Sequence, residues 1–447
     1  MDNFDENLYV YETDPDMEYY DEDPNINHLI EHQSFLSSLN NCAFPVLEKT
    51  LVSVIGFLVW ALIYRLSHYV LPNRWTHVVS CICGFGTLYK NNIATFTHVI
   101  YLGISTYVFL IILVHYLNSK YKGYSMALYC FSYLLLCEFL VESQVWRQIS
   151  SIQMIMVMKT VSIAFDVEKQ VINMPPFLHY FGYIYSVSNI LFGPWMSFQE
   201  YTKINVSLNF TSFITTVKHV FISLSCLLVS NCFGYWLIPD DCNDWLLVYR
   251  DAFLFRTSHY FISHLSKAIS ITSGYHYTDV VHITAIEFPK SLSQVVVHWN
   301  IPMHRWLKHY VFRPSQHIGK FVAVLNVYLA SSALHGFSAA LALVLLSLGF
   351  YTYIEYMLRS KISAALNSCT LVTSCKENCG HAYTKRSTLT ILVNLFFTGL
   401  AILHLAYLGV IFEDISLMRA TNPLTHTIST WADVGFISHI IIGIQCV

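Results

Sequence analysis

Long apolar runs alternate with short polar stretches along most of the chain. They fall at about 46–71, 76–89, 93–118, 124–141, 149–165, 177–196, 212–238 and 251–273. After a central stretch they resume at about 317–334, 336–358, 388–412 and 429–446. A helix that crosses a bilayer needs roughly 20 consecutive apolar residues, and most of these runs reach that length. They are continuous, as in Leu341–Phe350, whereas barrel strands alternate apolar and polar positions over short segments. The pattern predicts an all-α polytopic membrane protein with about nine to twelve membrane-buried helices. The run at 76–89 is short, and the one at 293–312 is interrupted by Pro302. Both are expected as re-entrant or broken helices, which persist at membrane depth only where protein or water covers the freed backbone groups.

Composition agrees: 55% of the 447 residues are hydrophobic and 12% are charged, about half the charged share of a soluble domain. The net charge of −3 conceals an asymmetry. Residues 1–31 carry eleven Asp and Glu and no Lys or Arg, which leaves 25 basic against 17 acidic residues in the remainder. Residues 1–45 are read as a disordered acidic tail, too polar to bury a core, and residues 46–447 as one membrane domain. No basic start followed by an apolar core marks a cleavable leader, so the first apolar helix is expected to act as the insertion signal. Arg65 and Arg74 after that helix, and Arg359, Lys361, Lys376, Lys385 and Arg386 at 359–387, predict cytosolic ends there. Nothing resembles a nucleic-acid surface. The tripeptides Asn205-Val206-Ser207 and Asn209-Phe210-Thr211 are glycosylation sequons, and they report topology only if their loop is lumenal.

Most of the twelve cysteines sit in apolar runs, where they act as small hydrophobes. Cys369, Cys375 and Cys379 instead share a polar loop with His381. Four well-spaced metal ligands are not evident there, so a plain loop, a disulfide or a lipidated cysteine is preferred to zinc, and no metal site is predicted.

Candidate chemistry gathers at 298–337. Between Phe321 and Phe350 the only side chain that can carry a charge near neutral pH is His335, flanked by Ser331, Ser332, Ala333, Gly336 and Ser338. An ionisable group in such a run is a functional hypothesis by default. A buried imidazole stays neutral and can accept a proton, as a general base must; the alternative is a hydrogen-bonded core histidine. Ser331, four residues earlier, shares its helix face. Asn300 precedes Ile301-Pro302. It either caps the helix that starts there or donates its amide to a polarised carbonyl. Trp299 and Trp306 are pocket walls or interfacial anchors. Arg305, Lys308 and Arg313 form a basic strip that either meets phosphates or snorkels.

Trp299-Asn300 with Pro302-Met303, followed 35 residues later by Ala333-Leu334-His335-Gly336-Phe337, resembles the signature of the membrane-bound O-acyltransferase superfamily. Phe192-Gly193-Pro194-Trp195, Trp306-Leu307, Tyr310-Val311-Phe312 and His404-Leu405-Ala406-Tyr407-Leu408-Gly409 extend the likeness over roughly 46–430, most densely at 180–360. These flanks are similar to the branch that acylates secreted Wnt proteins. The resemblance implies that fold in an endoplasmic reticulum membrane and palmitoleoyl-coenzyme A as a cytosolic acyl donor, with no permanently bound cofactor. It also implies a Wnt serine entering from the lumen. His335 is then the base and Asn300 the group that positions or polarises the carbonyl. Trp299, Ser331, Leu334 and Arg313 are the expected substrate contacts. A thioester is already activated, so the reaction requires no metal. The acidic tail departs from the shared pattern. So do Gln199 and Glu200, which stand where a basic–acidic pair is expected, and this leaves those positions without a role. Two other readings remain: an acyltransferase for a lipid, sterol or other secreted peptide, and a transporter lined by the broken helix. The lack of internal repeats and the scarcity of Asp or Glu in the apolar runs speak against the transporter.

Overall fold

The computed structural model describes residues 35–89, 93–116, 120–275, 279–336, 338–372, 375, 379–412 and 423–446. The regular structure of those residues is helical, with no strand, only an isolated bridge between Ser368 and Tyr383. Seven helices are long and apolar enough to cross a membrane. They are α1 (Phe35–Val70), α3 (Phe96–Tyr116), α4 (Lys122–Leu140), α5 (Ser143–Glu168), α7 (Phe210–Leu237), α12 (Ala339–Ala365) and α13 (Thr388–Gly409). The pair α14 (Pro423–Asp433) and α15 (Ile437–Cys446) is bent by 79° and makes at most one more span. Shorter or more polar helices pack among them: α2 (Asn73–Leu88), α6 (Phe177–Ile184), α8 (Asp244–Thr272), α9 (Leu292–Trp299), α10 (Ile301–Leu307) and α11 (Lys320–Leu334). The expected break at Pro302 is therefore present, between α9 and α10.

The acidic stretch at 1–34 lies outside the described residues, but helix α1 already begins at Phe35, inside the segment read as tail. Phe35 stacks on Phe233 and meets the edge of Trp236, and Cys42 is disulfide-bonded to Cys232. These contacts join the start of α1 to the end of α7, a tertiary gain that local polarity does not reveal.

Helix α5 is the central post. Met156, Val157, Met158, Val161, Ile163, Ala164 and Phe165 are all buried, so it is covered on every side, as its all-round apolar pattern requires. Lys159 is the exception within it. Its Nζ donates to the carbonyls of Tyr183 (2.8 Å) and Ile184 (2.9 Å), the unpaired end of α6. Helix α10 and the turn that follows it are hung on this post by two side chains: Trp306 Nε1 donates to Met158 O at 2.9 Å and Tyr310 Oη to Asp166 at 3.0 Å. Arg305 pairs with Glu200 at 2.8 Å, while Glu200 closes a capping box on Ser197. Glu200, which the resemblance left without a role, thus has one.

Arg65 and Arg359 are not the solvated topology markers that their positions suggested. Arg65 is buried and donates to Val206 O (3.3 Å), Ile271 O (3.2 Å) and Ser207 O, pinning the sequon loop and the end of α8 to α1. Arg359 lies inside α12, as Lys361 does, rather than in a loop. It pairs with Glu355 at 2.7 Å and donates to Thr370 O, Asn394 Oδ1 and Lys290 O. Glu355 in turn accepts the Leu292 N–H at 2.8 Å, at the first residue of α9. One ion pair therefore ties α12, α13 and the foot of α9. Removing one partner strands the other charge in a dry setting, at a cost of about 3–5 kcal/mol. Arg359→Met is accordingly expected to lower the melting temperature and cellular abundance sharply, with Glu355→Gln milder. A thermal-shift measurement in detergent checks this, and an unchanged melting temperature for Arg359→Met would refute it.

Candidate active site

The break between α9 and α10 has a local cause. Asn300 has an extended backbone that no helix can contain (φ −147°, ψ 89°), and Pro302 occupies the first turn of α10, where its missing N–H costs nothing. Asn300 Oδ1 accepts the Met303 N–H at 3.0 Å, so the side chain is the N-cap. That bond engages the acceptor end of the amide, since an N–H needs an oxygen, and leaves the NH₂ end as a donor. Two backbone bonds hold the kink in place: Ile301 N–H to Val280 O (2.9 Å) and His282 N–H to His298 O (3.1 Å).

His335 is likewise at a break. It is the C-cap of α11 rather than a mid-helix residue, and its N–H closes the last turn on Ser331 O (3.2 Å) and Ser332 O (3.1 Å). Gly336 follows with φ +92°, a left-handed C′ position that glycine takes without strain. A Cβ there would sit 3.2 Å from Glu138 and 3.4 Å from Trp146. The chain thus turns out of α11 and into α12 within a few residues.

Both breaks open into one cavity of about 430 Å³, within the usual range for a small-molecule site. Asn300, His304, Ser331 and His335 line it together with Trp299 and Met303. The imidazole is accessible within that cavity. Leu341, Val344, Leu345 and Leu348 of α12 and Leu405 and Leu408 of α13 make an apolar wall. The arrangement offers a basic nitrogen, an amide donor and a lipid-like surface in one chamber.

The expected substrate contacts divide. Trp299 and Ser331 line the cavity. Leu334 does not: it is 1% exposed and packs in the core built around α5, so its side chain is taken up by helix packing although it lies only three residues from Ser331. Arg313 does not either. It is exposed beyond α10, with its guanidinium 3.2 Å from His309 Nδ1.

One cavity residue escaped the sequence reading. His259 stacks on Trp299 at 4.4 Å with rings 6° from parallel, and its Nε2 donates to Trp299 O at 2.8 Å. A carbonyl can only accept, so the proton is on Nε2. His259 therefore holds the residue next to Asn300 from the side and below. Its signal was the polar ladder Arg256, His259, Tyr260, Ser263 and Lys267 at helical spacing along α8. Arg256 forms a two-bond pair with Glu287 (2.8 and 2.9 Å), to which Tyr260 also donates at 2.6 Å. Those bonds fasten the segment before α9 to α8.

Comparison with known proteins places the chain in a family. A sequence model of the membrane-bound O-acyltransferase family matches residues 85–375. The human protein-serine O-palmitoleoyltransferase porcupine is 32% identical over 442 residues, covering 91% of this chain and 95% of the relative. The Anopheles gambiae protein of the same name is 31% identical over 85% of this chain and 86% of its own length. That of Drosophila melanogaster is 34% identical over 68% and 65%. The family match takes in both breaks, and the human relative aligns along 91% of the chain; this chain belongs to the membrane-bound O-acyltransferase family.

Proposed function

We propose that the protein transfers a palmitoleoyl group from palmitoleoyl-coenzyme A to a serine hydroxyl of secreted Wnt proteins, at the endoplasmic reticulum membrane. The observation that carries this reading is the meeting of Asn300 and His335 in one largely apolar cavity. The names of the relatives supply the acyl group and the acceptor side chain.

In this mechanism the acyl chain lies against Leu341, Val344, Leu345 and Leu348, exchanging water or lipid for protein at little desolvation cost. The neutral His335 imidazole takes the proton from the serine hydroxyl as its oxygen attacks the thioester carbonyl carbon. The carbonyl oxygen gains negative charge, and the Asn300 NH₂, pre-aimed by its cap, donates to it. Collapse of the tetrahedral species breaks the carbon–sulfur bond. The departing thiolate recovers the proton from His335, and an oxygen ester remains on the acceptor. The serine and the coenzyme are both hydrophilic and approach from opposite membrane faces, so the two reactants meet inside the protein.

The test supplies microsomes holding the protein with an alkyne-tagged palmitoleoyl-coenzyme A and a Wnt-derived acceptor. Label is expected on the acceptor serine as a base-labile ester, and is expected to vanish when that serine becomes alanine. Label appearing on membrane lipid and never on the protein acceptor would reassign the reaction to a lipid acyltransferase.

A further inference from the structure

The polar loop between α12 and α13 contains a four-donor cluster that acyl transfer does not use. The thiols of Cys369, Cys375 and Cys379 and an imidazole nitrogen of His381 all lie within 4.8 Å of one another. Sequence spacing alone does not announce it, because the intervals are irregular. We propose that these four side chains form a structural zinc site.

Geometry supports it. Zinc binds thiolate sulfur at about 2.3 Å and imidazole nitrogen at about 2.0–2.1 Å in a tetrahedron, which places sulfur and nitrogen neighbours about 3.5 Å apart. His381 Nδ1 is 3.6 Å from Cys369 Sγ and 3.7 Å from Cys375 Sγ. Cys369 and Cys379 stand 3.0 Å apart, closer than two ligands of one zinc and farther than the ~2.05 Å of a disulfide. Binding the metal would spread that pair by somewhat under 1 Å.

The frame under the cluster is built. Cys369 is buried, and its N–H donates to Tyr383 O at 2.9 Å, which sets the first ligand beside the strand-like segment carrying His381. Tyr383 N–H returns a bond to Asn367 O at 3.1 Å, and Arg359 holds Thr370 O at 3.0 Å. Yet no hydrophobic cluster among the described residues includes any residue from 366 to 387. A segment without its own core needs a staple, and metal is one of the few available.

Compartment decides between zinc and disulfide. The Cys42–Cys232 disulfide stands at the start of α1, and Arg65 marks the other end of that helix, beside the end of α8. A Cβ on Gly409, at the end of α13, would touch Ala252 near the start of α8, and Leu405 clusters with Tyr260 further along. Helices α8 and α13 therefore run antiparallel. The loop entering α13 lies toward the Arg65 end, opposite the disulfide. Disulfides persist in oxidising compartments and thiols on the reducing side, and Arg74, Lys385 and Arg386 mark the same end as cytosolic. Three thiols that stay reduced, with an imidazole, suit zinc. On binding, the thiols release their protons, and with the neutral imidazole the complex carries a net charge of −1 in the loop that also carries Lys385 and Arg386.

The full-length protein would be purified in detergent with a reductant and no added metal, and its zinc measured by elemental mass spectrometry. About one zinc per chain is expected in the wild type and in Cys446→Ser, with a loss of most of it in Cys375→Ser/Cys379→Ser. Should that variant not accumulate, wild-type membranes decide: maleimide labelling of the three cysteines is expected only after a zinc chelator. Metal-free wild type, zinc undiminished in the double variant, full labelling without chelator, or a Cys369–Cys379 disulfide in non-reducing peptide maps would each overturn the site. None of these readouts depends on acyl transfer.

Discussion

His335→Ala is expected to lower acyl transfer by roughly 10²–10⁴-fold, the contribution of a positioned general base, while insertion and abundance stay at wild-type levels. The second half of that expectation comes from where the side chain is. Its ring faces the cavity, so truncation enlarges a space that already exists and exposes no packed surface. The bonds that end α11 belong to the His335 backbone N–H, which alanine retains. A core histidine would behave oppositely, losing stability with activity following it. Parallel measurement of ester formed per mole of folded protein separates the two outcomes. Full activity in the variant would remove His335 from the mechanism, and equal loss of activity and abundance would return it to a packing role.

The parts of this molecule that a sequence displays are those whose physics is local. Continuous apolar runs gave α1, α3, α7, α12 and α13 because a span must satisfy its own backbone. Pro302 gave the break before α10, and an isolated imidazole drew attention to His335. What stayed hidden depends on partners distant in sequence. Leu334 and Ser331 look equally suited to a pocket, but only packing against the α5 core decides that Leu334 turns away. Arg359 and Arg65 read as loop cations until Glu355, Lys290, Val206 and Ile271 are seen around them. His259 is one of 21 histidines, and its importance comes from Trp299 stacking on it across 40 residues. The cluster at Cys369 is the same case: the irregular spacing is reconciled by the turn that brings Tyr383 back to Asn367.

Substitutions at Asn300 divide its two duties. The cap uses Oδ1 on the Met303 N–H, and the proposed chemistry uses the NH₂. Asn300→Asp keeps an oxygen for the cap and loses both donors. Its melting temperature is expected to stay close to wild type, because Asp and Asn cap a helix about equally well. Its acyl transfer is expected to fall by about 10²–10³-fold, the usual effect of removing one oxyanion donor, and the added negative charge beside a developing oxyanion deepens that loss. Asn300→Ala removes both functions and should add a stability loss of about 1 kcal/mol from the missing cap. The measurement is turnover against melting temperature for both variants in the same detergent. If Asn300→Asp retains wild-type turnover, the amide donates to nothing in the transition state. Asn300 is then a cap alone, and stabilisation of the carbonyl oxygen passes to another group lining the cavity. If Asp and Ala lose turnover alike while only Ala melts early, the donor assignment stands, because stability and catalysis have then been moved separately at a single position.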